Sequence, residues 1–152
     1  MKKILNLCII GFISLFVLTG CTNKNVEGSL EDLMTKVYEN IADDEKPMML
    51  SNITIDEENK EYYIGSKEVK IKEAIASESM TGSIAHSIVL LRLENTKDVE
   101  NAKKLIKDNV NPRKWICVEA ENVIVKNKGD LIIVIMTSNA LSEKIESNFD
   151  NL

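Results

Sequence analysis

The sequence predicts a single α+β domain over residues 29–152, with a mainly antiparallel sheet of about four strands packed in two layers with about three helices. Three observations predict it. Apolar residues recur at helical spacing at the beginning, middle and end of this region. Stretches rich in β-branched residues lie between those segments, and a tight-turn sequence joins the last two of them. The predicted order is helix, strand, strand, helix, strand, strand, helix, and helices packed on an antiparallel sheet are the simplest architecture for it.

The first helix is predicted to begin after Ser29, whose hydroxyl can accept a hydrogen bond from a free amide of the first turn. It should extend over residues 30–42 and end before Pro47. Its apolar side chains would form one stripe: Leu30, Leu33, Met34, Val37, Tyr38 and Ile41. Residues 52–55 alternate and are expected to be extended, whereas the charged residues 56–61 should form a solvated loop or one helical turn.

Two strands are predicted next, over residues 73–79 and 83–94, with Gly82 in the turn between them. A helix should follow, beginning at Asn95 or Thr96 and stopped by Pro112.

The last part of the domain predicts a hairpin and a helix. Residues 123–125 and 131–135 flank the turn sequence Asn127-Lys128-Gly129-Asp130. Residues 131–135 are apolar on both faces, so this strand is expected near the centre of the sheet. The final helix should begin at Ser138 or Asn139 and turn four apolar side chains inward: Leu141, Ile145, Phe149 and Leu152.

The first 20 residues have the pattern of a cleaved signal peptide. Met1 to Lys3 is a short basic start, and residues 4–18 are almost wholly apolar. Fifteen such residues fall short of the roughly 20 that a membrane-spanning helix needs. A spanning anchor is the alternative.

Leu18-Thr19-Gly20-Cys21 resembles the lipobox of bacterial lipoprotein signal peptides. The resemblance implies that Cys21 is acylated with diacylglycerol and that the chain is cut between Gly20 and Cys21. Two acyl chains hold a protein stably on a membrane. We therefore expect a lipid-anchored protein on the extracytoplasmic face of the cell membrane, with residues 21–28 as the lipidated cysteine and a short linker. The alternative is an ordinary cleaved signal peptide with an incidental cysteine.

Charge and motifs exclude several function classes. Removing Lys2 and Lys3 changes the formal charge from −5 to −5 − 2 = −7, which argues against nucleic acid as a partner. There is no glycine-rich phosphate loop, zinc-type spacing or serine nucleophile motif. His86, the only histidine, is expected to be packed or on the surface, and Cys117 to be a buried, inert thiol. No catalytic residue, metal or cofactor is predicted.

Arg113, Lys114 and Trp115 form the candidate interaction site, because the only tryptophan lies beside one of the two arginines at a helix-to-strand junction. Such a pair can stack on a flat ligand or anchor a partner. In the alternative, Trp115 fills the core while Arg113 and Lys114 complement the negative end of the preceding helix.

Four segments, together with the lipobox, resemble a family of uncharacterised Gram-positive lipoproteins, over about residues 30–150. The segments are residues 71–78, 83–87, 111–118 and 129–132. Ser79 stands where that family has a proline. The resemblance implies membrane anchorage and adds no activity or catalytic residue.

The expected function is that of a non-enzymatic envelope module that binds or helps to assemble another envelope protein. The alternative is a small-ligand-binding lipoprotein. An enzyme would need a conjunction of serine, lysine or carboxylate groups that only the fold can bring together.

Overall fold

The computed structural model describes residues 25–152, so the predicted signal peptide and the lipobox with Cys21 lie outside the described residues. It shows one antiparallel sheet of five strands, in the order β1-β2-β3-β5-β4. The strands are β1 (Leu50–Thr54), β2 (Ile71–Ser79), β3 (Ser87–Leu93), β4 (Asn122–Lys128) and β5 (Leu131–Thr137). The helices are α1 (Leu30–Val37), α2 (Lys60–Ile64), α3 (Val99–Asn109) and α4 (Asn139–Asp150). The predicted α+β class is confirmed.

Helices cover both faces of the sheet, so the sheet lies between two helical layers, whereas the sequence predicted one helical layer. One core contains Val89, Leu91 and side chains of α2 and α3. The other contains Ile88, Leu90 and the apolar stripes of α1 and α4. The physical reason is that β3 and β5 are buried along their whole length. Their side chains alternate between the two faces, and both faces therefore need cover.

The predicted starts of α1 and α4 agree with the structure, and at both a serine side chain caps the helix. Ser29 accepts a hydrogen bond from the amide of Asp32 (3.1 Å) and begins α1, and Ser138 accepts from the amide of Leu141 (3.4 Å) at the start of α4. The first helix ends at Val37, five residues before the predicted end, because the chain turns away through Asn40, whose φ is +58°.

The strands differ from the prediction at two places. Residues 50–54 form the fifth strand, and the charged segment that follows leads into the short helix α2. β3 begins at Ser87 and not at residue 83, because residues 81–84 form a turn closed by the amide of Ile84 on the carbonyl of Thr81 (2.9 Å). The predicted hairpin is confirmed, with Gly129 at φ +59°, and β5 lies between β3 and β4 near the centre.

Arg92 fixes the end of the predicted linker to the sheet. Its guanidinium donates to the carbonyls of Val26 (2.6 Å) and Gly28 (3.1 Å), and it pairs with Glu73 at 2.6 Å and with Asp130 at 3.4 Å. The side chain of Val26 packs against the core beneath α1. The chain therefore joins the domain at Val26, three residues before the cap of α1.

Within residues 25–152, no helix is both long enough and apolar enough to cross a membrane.

Candidate functional site

A buried ion pair lies at the base of a cleft on the α2 and α3 side of the sheet. Lys114 Nζ donates to Glu78 Oε2 (2.8 Å) and to the Ser87 hydroxyl (3.1 Å), and Trp115 Nε1 donates to Glu78 Oε1 (2.9 Å). The side chain of Lys114 is 2% exposed and that of Glu78 is 7% exposed. Both carboxylate oxygens and the ammonium are thus engaged within the protein.

Three aromatic rings surround the ammonium of Lys114. Nζ lies 4.3 Å from the ring centroid of Tyr62, 4.6 Å from that of Tyr63 and 5.2 Å from that of Trp115. The two tyrosine rings meet edge to face, with their centroids 5.0 Å apart. Rings at these distances stabilise a cation through their electron-rich faces. They offset part of the cost of burying the ammonium.

Close backbone contacts hold the two walls of this cleft. Gly65 ends α2 with φ +75°, and a Cβ at this position would lie 2.3 Å from the carbonyl carbon of Asn109. Only glycine allows α2 to approach the end of α3 so closely. On the other wall, the amide of Ile116 donates to the carbonyl of Gly82 (2.9 Å), which ties the loop of Lys114 and Trp115 to the turn after β2.

Burial controls the protonation of the cleft. It lowers the pKa of Lys114, and the ion pair with Glu78 opposes that shift only in part. Burial also raises the pKa of Tyr63 to about 12, with a further contribution from the negative charge of Glu78. The tyrosines therefore stay neutral in the physiological range.

The rim of the cleft is apolar and exposed. Among the described residues, five large apolar side chains are exposed, each 49% to 72%: Met48, Met49, Tyr62, Met80 and Ile116. Three of them line the cleft, and the carbonyls of Met48 and Met49 accept hydrogen bonds from Ser79 and Met80 at its edge. Tyr62, Met80 and Ile116 line the cleft, whose volume is about 280 Å³. The amide of Met80 donates to the carbonyl of Met49 (3.0 Å), which places the two methionines side by side. We call these five residues the apolar rim.

The structure separates the predicted interaction residues. Arg113 is 75% exposed and pairs loosely with Glu119 at 3.4 Å. Trp115 belongs to the core and is 9% exposed, as the alternative interpretation expected. Lys114 turns into the cleft and not toward the end of α3. The three residues therefore do not form one surface.

The prediction for Cys117 is wrong. The thiol is exposed, because the backbone turns at Cys117 with φ +62°.

His86 forms a second polar cluster, on the opposite face of the sheet. Its Nε2 lies 2.6 Å from the hydroxyl of Tyr38, and its Nδ1 lies 2.8 Å from the hydroxyl of Thr137. The Tyr38 hydroxyl also donates to Ser77 (3.1 Å). Burial, and then the positive charge of Lys114, lower the pKa of His86 to about 4. The histidine is packed, which is one of the two states that the sequence predicted, and Ser87 points away from it toward Lys114.

Sequence reasoning missed Tyr62, Tyr63 and Glu78. A pair of adjacent tyrosines in a chain with three, and a glutamate inside a predicted strand, were the available signals. In the part of the chain that the structure describes, no group of histidine, cysteine or carboxylate side chains is placed to hold a metal ion.

Comparison of this chain with protein-family models, with curated proteins and with solved structures finds no match in any of the three. The function proposed below therefore rests on the chain's own residues.

Proposed function

We propose that this protein is a membrane-anchored, extracytoplasmic lipoprotein that acts without catalysis, by binding another envelope protein through the apolar rim. One observation carries the proposal: of the five exposed large apolar side chains of residues 25–152, three line one cleft and the other two belong to residues bonded to its edge. Contiguous apolar surface on a soluble domain marks an interaction site, whereas scattered single residues do not.

The composition of the rim fits a protein partner. Three of its five side chains are methionines, which are flexible and polarisable and are over-used at binding surfaces that adapt to a partner. Tyr62 supplies an aromatic ring at the mouth of the cleft, and tyrosine is enriched among the residues that dominate binding energy. Glu78 and Lys114 satisfy each other beneath the rim, so a partner would meet apolar surface and not an unpaired charge.

The anchor would hold this surface close to the membrane. Cys21 and Val26 are five residues apart, and at about 3.5 Å per residue this segment reaches at most about 18 Å. Because Arg92 holds Val26 on the domain, the segment after Val26 adds no reach. Partners in the same membrane would meet the rim at a raised effective concentration.

Two experiments test the proposal. A Cys21→Ser variant should incorporate no labelled fatty acid and should keep residues 1–20, whereas the wild-type chain should carry the label and lack those residues; a labelled variant would contradict the anchor. Site-specific photo-crosslinking from Ile116 should recover the same partner repeatedly. The double variant Met80→Lys/Ile116→Lys should abolish that crosslink, whereas Asn101→Lys, on the exposed side of α3, should leave it intact.

The second candidate is a small-ligand-binding lipoprotein, and the observation that favours it is the cleft with its three aromatic rings. Its volume of about 280 Å³ lies just below the roughly 300–1,000 Å³ typical of ligand pockets, and its polar groups are already paired. A ligand at 100 times its Kd should stabilise the domain by about 2.7 kcal/mol. A flat thermal-shift response across envelope metabolites would remove this candidate.

A further inference from the structure

The two edges of the sheet differ in how they are protected. β4, at one edge, carries Lys126 and Lys128, which bond to Asp150 of α4. β1, at the other edge, pairs only with β2 among the described strands. Its sequence Leu50-Ser51-Asn52-Ile53-Thr54 has no charge and no proline, and its register with β2 is continuous. Charges, prolines and bulges are among the devices that keep edge strands from pairing with other chains, and β1, although short, has none of these three.

The register shows which backbone groups of β1 are free. The carbonyl of Met49 accepts from Met80, and the amide of Ile55 donates to Ala74 (2.9 Å). Both pairs continue the register of β1 and β2. Because hydrogen-bonded and non-hydrogen-bonded pairs alternate in an antiparallel ladder, the even-numbered residues 50, 52 and 54 direct their backbone groups away from β2.

Only one of these outward groups has a hydrogen-bond partner among residues 25–152. The side-chain amide of Asn59 donates to the carbonyl of Thr54 (3.1 Å). The amides and carbonyls of Leu50 and Asn52 are the central positions at which an added strand would pair. Asn52 is exposed.

The apolar rim continues from this edge. Met48 and Met49 directly precede β1, and Ile53 of β1 lines the cleft together with Met80. A strand added beside β1 would therefore place every second side chain on the cleft side of the sheet, next to the rim.

The charges around β1 indicate which kind of segment can pair with this strand. Residues 43–61 contain seven carboxylates and two lysines, and the run Asp56, Glu57, Glu58 begins two residues after the strand ends. All three of these side chains are exposed. A second copy of this chain would bring the same negative charge to the same edge, which disfavours self-pairing, whereas a segment with lysine or arginine would be attracted.

We propose that β1 binds an extended segment of the partner protein as a sixth strand. The segment carries apolar residues at alternate positions and basic residues at the end that meets Asp56 to Glu58. This inference rests on the proposed function and names the kind of partner that the rim takes. Binding of this kind would obtain its affinity from main-chain hydrogen bonds and its specificity from the cleft, as strand addition does generally.

The test uses the full-length lipoprotein in intact cells, with a photo-crosslinking residue in place of Asn52. Mass spectrometry should locate the crosslink on a segment of another protein that has alternating apolar residues and flanking lysine or arginine. A crosslink to a second copy, to the chain's own N-terminal residues, to lipid or to an acidic segment would overturn the proposal.

A pair of variants at the same position provides the control. Asn52→Pro removes an amide that faces away from β2, a position where an edge strand tolerates proline, whereas Asn52→Val keeps the amide. Partner binding should fall about tenfold or more with proline and stay at the wild-type level with valine. Equal binding by both variants would refute strand addition. If the proline variant does not fold, Glu58→Lys decides: unchanged binding and unchanged salt dependence would refute the charge argument.

The outcomes separate this inference from the proposed function. If Met80→Lys/Ile116→Lys abolishes binding and Asn52→Pro does not, the rim binds a partner and the edge does not. If photo-crosslinkers at both Ile116 and Asn52 recover no other protein, the proposed function fails and strand addition fails with it.

Discussion

Stability should fall by about 3 kcal/mol between pH 7 and pH 4 because of His86. The ring is fully buried and contacts the hydroxyls of Tyr38 and Thr137. Neither hydroxyl carries a negative charge that would stabilise an imidazolium, and Lys114 adds a positive charge from the other side of the sheet. Folding therefore favours the neutral ring.

The sign and size of this pH dependence follow from the different pKa of His86 in the unfolded and the folded chain. The pKa falls from 6.5 in the unfolded chain to about 4 in the fold. Between these values the unfolded chain binds more protons than the folded one, so stability rises with pH. The contribution is complete above pH 6.5 and is lost as the pH falls toward 4. At about 1.36 kcal/mol per unit, the difference corresponds to about 3 kcal/mol.

Urea unfolding at a series of pH values measures this effect. The window from pH 6.5 to 5, in which about half of the loss should occur, keeps most carboxylates out of the comparison. His86→Gln retains a donor and an acceptor for the same hydroxyls. This variant should be less stable than the wild type at pH 7, and its stability should be nearly constant across the window. An equal slope in His86→Gln, or a ring pKa near 6.5 by NMR, would refute the reasoning.

Three further predictions concern the cleft and its surroundings. Lys114→Met leaves the Glu78 carboxylate buried without its cation and should cost about 3 kcal/mol or more of unfolding free energy in urea. Adding Glu78→Gln should recover more than half of that loss, and strictly additive costs would contradict the coupling. Gly65→Ala should cost about 3 kcal/mol or more, because the added methyl group meets the backbone of α3 at a positive φ. Gly82→Ala, whose methyl group would meet only the flexible end of a side chain, should cost less than about 1 kcal/mol in the same melts. A membrane-impermeant maleimide should label Cys117 in intact cells and not label Cys117→Ser, since the thiol is exposed. Labelling only after lysis would contradict an extracytoplasmic location.

The longer elements of the fold could be predicted because their apolar residues repeat over several turns or pairs. α1, α3 and α4 each bury one stripe, and the hairpin of β4 and β5 has a turn sequence of its own. The sequence did not define the bounds of β1 or the type of α2, and these two elements have five residues each. Such lengths cover little more than one turn or two side-chain pairs, so tertiary packing decides their state.

The site was predictable only in part. Lys114 and Trp115 stood out as residue types, but Glu78 lies 36 residues before Lys114 in sequence. The register of β2 with β3 places Glu78 beside Ser87, and the loop after α3 brings Lys114 to both of them. Local sequence patterns specify neither the register nor the path of the loop. Cys117 was misplaced because its apolar neighbours suggested burial, whereas the turn at φ +62° directs the thiol outward. Backbone geometry, and not residue type, decided that position.

The buried pair of Lys114 and Glu78 is better explained by positioning than by stability. An ion pair out of water gains little net free energy, because the desolvation of both charges offsets their attraction. Here the pair joins the loop that carries Ile116 to the strand that leads into Met80. The two exposed side chains are therefore held on one surface. A surface that is ordered in advance loses less conformational entropy on binding, so in the function proposed above the charge pair beneath the apolar rim would favour recognition without touching the partner.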